Sequence, residues 1–205
     1  MKIRPFQLSA YEANCYLISN KGKAVLIDPG DYSMEIANII RNEDLQVTHI
    51  LITHIHLDHF YAATAFSKLT GAKIYINPAD GYLIKEEVDT WKECMYSQSC
   101  GMVDYEPFDP GMYEFLGEKC EVIATPGHTP GSLTLHFPDH TLAFVGDVIF
   151  SGSVGRSDFN GGDYETLMTT IKSKIFKFPP DTKLYTGHGP VTTVDYERRN
   201  NSFVK

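Results

Sequence analysis

Strand-forming runs appear early in the chain. Cys15-Tyr16-Leu17-Ile18 and Ala24-Val25-Leu26-Ile27 flank the turn-forming Asn20-Lys21-Gly22, which predicts a β-hairpin, and Asp28-Pro29-Gly30 stops its second strand. Behind Ser33, the positions Met34, Ala37, Ile40 and Arg41 fall near helical spacing and predict a short amphipathic helix that ends before Val47. The β-branched run 47–53 reads as a strand, 61–69 as a helix closed by Gly71, and 72–76 as another strand. Asn77-Pro78 has the form of an N-cap and first-turn pair opening a further helix. From about residue 86 to 110 the periodicity dissolves into mixed charge, Tyr, Met and Cys, the mark of a lid or insertion. Strand signals resume at 120–124, Leu133–Phe137 and 141–145, the last two joined by Pro138-Asp139-His140. Asp163, with Glu165 and Thr166, starts a helix that places Leu167, Ile171 and Ile175 on one face, and 183–185 is a final strand. Strands cluster in both halves with helices between and after them, and no compositional break marks a linker. One α/β domain with mixed sheets, spanning residues 1–205, is the simplest solution.

Charge narrows the partners. The 205 residues carry 18 Lys and Arg against 26 Asp and Glu, a formal charge of −8, which disfavours a protein that covers nucleic-acid phosphates or anionic membranes. The most apolar run, residues 142–150, is broken by Asp147 and falls short of the ~20 residues a bilayer requires. The first seven residues contain no apolar signal region, so the cytoplasm is the expected location. Cys15, Cys94, Cys100 and Cys120 show no paired spacing and read as reduced, buried thiols, with a Cys94–Cys100 disulfide or a reactive thiol as the alternative.

The chemistry concentrates where strands end. Four apolar runs each finish in a small or turn-forming residue followed by a metal-competent side chain: Thr53 before His54-Ile55-His56-Leu57-Asp58-His59, Thr125-Pro126-Gly127 before His128, Gly146 before Asp147, and Thr186-Gly187 before His188. Loops beyond strand ends are where α/β sites assemble, so the four junctions can gather five His and two Asp in one cleft. The first cluster must begin as a turn, because residues two apart on a helix point about 200° apart and cannot share one ion. Seven neutral imidazoles and carboxylates are too many for one tetrahedral ion and suit two ions if one carboxylate, here taken as Asp147, bridges them. His49, His136 and His140 lack such context and read as structural or exposed; His136 is expected to face outward and His140 lies in a turn.

In that order, Thr53-His54-Ile55-His56-Leu57-Asp58-His59, Thr125-Pro126-Gly127-His128-Thr129-Pro130-Gly131-Ser132, Gly146-Asp147 and Gly187-His188-Gly189-Pro190 resemble the metallo-β-lactamase superfamily. Asn14-Cys15-Tyr16-Leu17 and Ile27-Asp28-Pro29-Gly30 match its N-terminal strands. Within it the chain looks most like the short glyoxalase II-like hydrolases, through Gly155-Arg156-Ser157-Asp158-Phe159, Gly161-Gly162-Asp163 and Gly189-Pro190-Val191-Thr192-Thr193 with Glu197-Arg198. The resemblance implies a four-layer αββα sandwich with metals at one edge. It also assigns His54, His56 and His128 to one metal and Asp58, His59 and His188 to the other, with Asp147 bridging. Dinuclear β-lactamases typically place Cys where Asp147 stands and do not use His59, so a β-lactam is not the expected substrate.

The resemblance further implies a dinuclear metallohydrolase acting on a small anionic substrate, cleaving S-2-hydroxyacyl glutathione, for instance lactoylglutathione, with a metal-bound hydroxide. Asp58 would ligate and orient that nucleophile. Arg156 is expected either to clamp a substrate carboxylate or to pair with Asp158. Zinc is the first expectation for the two divalent ions; iron and manganese suit the same donors. The rivals on the same fold are an iron-dependent persulfide dioxygenase, which would use His54, His128 and Asp147, and a lactonase; a metal-dependent binding module is the non-enzymatic alternative. With His188 so near the last residue, the chain is expected to lack the helical C-terminal domain with which larger glyoxalase II enzymes contact glutathione.

Overall fold

The computed structural model describes residues 1–92 and 104–204. The chain divides into two compact units, Met1–Phe108 and Asp109–Lys205.

In the first unit, β1 (Lys2–Leu8), β2 (Ala13–Asn20) and β3 (Lys23–Ile27) precede α1 (Met34–Asn42) and β4 (Gln46–Leu51). They are followed by α2 (Leu57–Phe60), α3 (Ala63–Thr70), β5 (Lys73–Ile76), a 3-10 turn at Pro78–Asp80, α4 (Leu83–Lys92) and β6 (Glu106–Pro107). The six strands form one sheet in sequence order, antiparallel from β1 to β3 and parallel from β3 to β6. The predicted hairpin is present, as are helices at Met34–Asn42 and Ala63–Thr70, whereas Asn77-Pro78 opens only the three-residue 3-10 turn and the next α-helix begins at Leu83. Ser33 Oγ accepts from Ile36 N at 3.3 Å and caps α1, and Gly71 in the left-handed region closes α3. Leu17, Leu26, Ile36, Ile50, Phe60, Phe66 and Ile74 share one core in which each is nearly or wholly excluded from water.

The second unit contains β7 (Gly111–Phe115), β8 (Glu118–Ala124), β9 (Leu133–Phe137), β10 (Leu142–Gly146) and the short hairpin β11 (Ile149–Phe150) and β12 (Ser153–Val154). After these come α5 (Tyr164–Ser173), β13 (Lys183–Thr186), β14 (Thr192–Thr193) and α6 (Val194–Asn200). Its sheet has the order β14-β13-β10-β9-β8-β7, and β10 with β13 is its parallel pair. Asp163 caps α5 by accepting from Thr166 N at 2.7 Å. Leu167, Ile171 and Ile175 are fully buried as their spacing requires, and each contributes ~1.5–3 kcal/mol by leaving water. A buried carboxylate, Glu197 on α6, accepts from Thr192 Oγ1 at 2.5 Å, Asn201 Nδ2 at 2.8 Å and Gly152 N at 3.0 Å, fastening the β11–β12 hairpin to the C-terminal helix.

Three departures from the sequence reading have physical causes. The strands β1 and β7 carried weak signals because both are sheet edges; β1 contains Pro5 and mixes exposed with half-buried positions without regular alternation, which an edge tolerates. Within the irregular stretch 86–110, α4 continues to Lys92 and β6 pairs with β5, while 93–103, with Cys94 and Cys100, lies outside the described residues. His136 does not face outward: it is buried and stacks on Phe178 with centroids 4.1 Å apart, its Nδ1 3.5 Å from Glu121 Oε2. Cys15 and Cys120 are buried free thiols, and burial raises both well above the ordinary thiol range, which makes them inert at neutral pH. Among the described residues no helix is long and apolar enough to cross a membrane.

Burial holds the His136 imidazole below its ordinary value, partly offset by Glu121. The unfolded chain therefore takes up the proton first as pH falls, and stability is lost as pH drops through ~6.5, the unfolded value, toward the folded one. The half-buried His49 is lowered for the same reason. Urea unfolding between pH 7.5 and 5 should show a declining midpoint, and His136→Phe, which keeps the ring on Phe178, should flatten that decline.

Candidate metal centre

The first group of candidate ligands lies where β4 ends. His56 is extended, at φ −120° and ψ 144°, and is the N-cap of α2, the one-turn helix that carries Asp58 and His59. The cluster thus begins as non-helical chain, as the spacing required, and becomes helical only at Leu57. The ring centroid of His54 lies 5.0 Å from that of His56 and 4.3 Å from that of His59. His59 Nε2 lies 3.7 Å from Asp58 Oδ2.

Asp28, which follows β3, organises these rings. Its carboxylate is buried and accepts from Thr53 N at 2.7 Å, Thr53 Oγ1 at 2.6 Å and His59 Nδ1 at 3.2 Å. A carboxylate only accepts, so the Nδ1 of His59 carries the proton and its Nε2 keeps the lone pair. Thr53 spends its hydroxyl proton on Asp28, and its oxygen accepts from His54 Nδ1 at 3.0 Å, which sets the same tautomer in His54. Asp28 adopts φ +50°, a conformation that Asp tolerates better than most residues. A Cβ on Gly30 would lie 1.4 Å from the carbonyl oxygen of Asp58, so only glycine lets this loop rest on α2. The ligand atoms of Asp28, His54 and His59 lie within 4.8 Å of one another. The three hydrogen bonds on Asp28 nevertheless place it behind the imidazoles as their anchor. In the sequence Asp28 reads as the stop of a strand, because no local signal distinguishes an anchoring aspartate from one that ends a strand.

In the second unit, His128 lies in the β8–β9 loop, Asp147 follows β10 and His188 follows β13. His128 Nδ1 donates to Arg156 O at 2.6 Å, so here too the Nε2 lone pair is the one presented. Asp147 Oδ2 lies 3.6 Å from His128 Nε2 and 3.5 Å from His188 Nε2, so two imidazoles address one carboxylate oxygen. The parallel pair β10–β13 slips register between Phe144 and Gly146, and Gly187 N donates to Gly146 O at 2.8 Å, which aligns the two loops. Gly155 makes the His128 contact accessible: a Cβ there would lie 1.8 Å from Asp147 O and 3.2 Å from His128 Nδ1. Arg156 itself forms a bidentate pair with Asp158, at 2.9 and 2.8 Å, and its guanidinium lies 4.2 Å over Phe159. That pair raises the Arg156 value and lowers that of Asp158. His140 pairs with Glu118 at 3.0 Å and His49 lies 2.9 Å from Thr48 Oγ1, both apart from the candidate ligands.

The donors fit a metal. Two ligands at 2.0–2.1 Å from a tetrahedral ion lie ~3.4 Å apart, and the nitrogen–oxygen separations of 3.5, 3.6 and 3.7 Å fall near that edge length and beyond good hydrogen-bond range. Imidazole nitrogen and carboxylate oxygen without thiolate is a set that zinc, iron and manganese all accept.

The family model of the metallo-beta-lactamase superfamily matches residues 9–188, and the chain belongs to that superfamily. Its class is that of the metallo-hydrolases, on a fold of mixed sheets with helices. Hydroxyacylglutathione hydrolase GloC of Haemophilus influenzae is 34% identical over 214 residues, covering 100% of this chain and 98% of the relative. The crystal structure of the B3 metallo-beta-lactamase BLEG-1 superposes with a TM-score of 0.91 at 27% identity, covering 100% of both chains. TTHA1623 in a di-iron-bound form gives 0.88 at 32% identity, covering 98% of this chain and 99% of the other. ETHE1 from Myxococcus xanthus gives 0.77 at 25%, covering 98% and 84%.

Gly155→Ala should displace the Asp147 carbonyl and the His128 anchor together. Metal retained after dialysis against a chelator, measured by elemental analysis, should correspond to ~10–100-fold weaker binding, with the far-UV circular dichroism unchanged.

Proposed function

We propose that the chain is a dinuclear thioesterase of glyoxalase II type, hydrolysing S-2-hydroxyacyl glutathione such as lactoylglutathione to the hydroxy acid and free thiol. In this reading the two units act as one domain, with His54, His56 and His128 on one ion, Asp58, His59 and His188 on the other, and Asp147 shared. The observation that carries it is the single Asp147 oxygen facing both His128 and His188, the disposition a bridging carboxylate needs. The full-length likeness to GloC supports the substrate class.

Held by these donors, two divalent ions would supply a bound water with its pKa lowered toward ~7 and a Lewis acid for the acyl carbonyl. Zinc is the first assignment, and the di-iron form of TTHA1623 supports iron as the alternative. Asp58, whose side chain is partly open to solvent, accepts a proton of the attacking water and orients it. Asp28 and the Arg156 carbonyl keep the Nδ1 protons of His59 and His128 in place, so these imidazoles remain neutral donors. Thiolate departs without prior protonation, so the site requires no strong general acid. The Arg156–Asp158 pair is exposed and therefore weakly held, and Arg156 can exchange Asp158 for a carboxylate of glutathione. The enzyme acts in the cytoplasm on a small anionic substrate.

The likeness to ETHE1 supports a second reading, an iron-dependent persulfide dioxygenase using His54, His128 and Asp147 as a two-His-one-carboxylate site. Metal-replete protein should release thiol from S-lactoylglutathione and contain two zinc-class ions per chain. His56→Ala and Asp147→Ala should each reduce turnover to the uncatalysed background. Absence of thiol release rejects the thioesterase; oxygen uptake with glutathione persulfide and one iron per chain establishes the dioxygenase instead. Opening of a β-lactam without thioester cleavage would assign the activity of BLEG-1.

A further inference from the structure

The three residues interleaved with the ligands share one feature. Ile52 N still donates to a strand neighbour, Tyr75 O, at 3.1 Å. Beyond it, Thr53 N donates to Asp28 Oδ1 at 2.7 Å, Ile55 N to Asp80 Oδ2 at 3.2 Å and Leu57 N to Glu87 Oε2 at 3.0 Å. Carboxylates from three separate elements thus take every second N–H along the segment whose alternate side chains are His54, His56 and Asp58. Asp80 closes the 3-10 turn after β5, a turn set by Asn77 Oδ1 accepting from Ala79 N at 3.0 Å, and it is wholly buried. Glu87 is half-buried on α4.

A buried carboxylate is a costly acceptor for a peptide N–H. Here its position gives the reason. The peptide that carries the Ile55 N–H joins His54 to Ile55, one residue before His56, and the peptide that carries the Leu57 N–H joins His56 to Leu57, one residue before Asp58. Rotation of either peptide therefore turns the proposed ligand directly before it and shifts the path of the chain to the one after it.

We propose that Asp80 and Glu87 are positioning residues for the metal-binding loop, holding the Ile55 and Leu57 peptides so that His54, His56 and Asp58 keep the directions metal binding requires. This rests on reading those three residues as ligands. The hydrogen bond is the operative feature: an amide oxygen at either position preserves it, and a methyl group abolishes it.

The test uses the full chain, loaded with zinc in competition with a chromophoric chelator and, in parallel, with cobalt(II) for its visible spectrum. Asp80→Ala should weaken zinc binding ~10–100-fold and alter the cobalt bands, whereas Asp80→Asn should stay within about threefold of the unsubstituted protein. Glu87→Ala and Glu87→Gln should divide in the same way. If Asp80→Ala does not fold by circular dichroism, the Glu87 pair decides, because that side chain is only half-buried. Wild-type affinity and spectrum in both alanine variants overturn the proposal. So does equal loss in the alanine and amide variants, which would make charge the operative property. Failure of the unsubstituted protein to bind zinc or cobalt rejects the ligand reading itself, an outcome visible before any variant is compared.

Discussion

The candidate centre depends on oxygen atoms that hold the imidazoles from behind. Asp28 fixes the Nδ1 proton of His59 directly and that of His54 through the Thr53 hydroxyl, and the Arg156 carbonyl does the same for His128. A neutral imidazole has two tautomers, and only the one protonated at Nδ1 leaves Nε2 as a donor; each anchor selects that tautomer and also fixes the plane of the ring. Both anchors require close backbone approach. Gly30 beside Asp58 and Gly155 beside Asp147 leave no room for a Cβ, so the two glycines are as necessary to the ligand geometry as the acceptors themselves.

The charge distribution follows from the same arrangement. The chain has a formal charge of −8, and part of that negative charge is placed around one loop, where Asp28, Asp80 and Glu87 surround the segment carrying His54, His56 and Asp58. Carboxylates so placed favour cations, which suits a metal-binding segment.

Much of the fold was legible because its signals are local. Turn residues 20–22, the Ser33 and Asp163 caps, Gly71 and the spacing of Leu167 and Ile171 each act within a few residues, and each element formed where they indicated, although α5 ends at Ser173 and Ile175 falls in the 3-10 turn that follows. The edge strands β1 and β7 were illegible because an edge with one sheet neighbour does not need a regular apolar face. His136 misled for a related reason: alternation with Leu135 implies opposite faces, but both faces of β9 are covered and Phe178 takes the ring.

By itself the sequence determined which side chains can bind a metal, since ligand chemistry belongs to residue type, and which strand ends carry them. Tertiary structure decided what stands behind them. Asp28 and Thr53 lie 25 residues apart, as do Ile55 and Asp80, and Leu57 and Glu87 lie 30 apart. No local pattern encodes such pairs, because they exist only once β3, β4 and β5 lie side by side and bring the loops at their ends within hydrogen-bond reach.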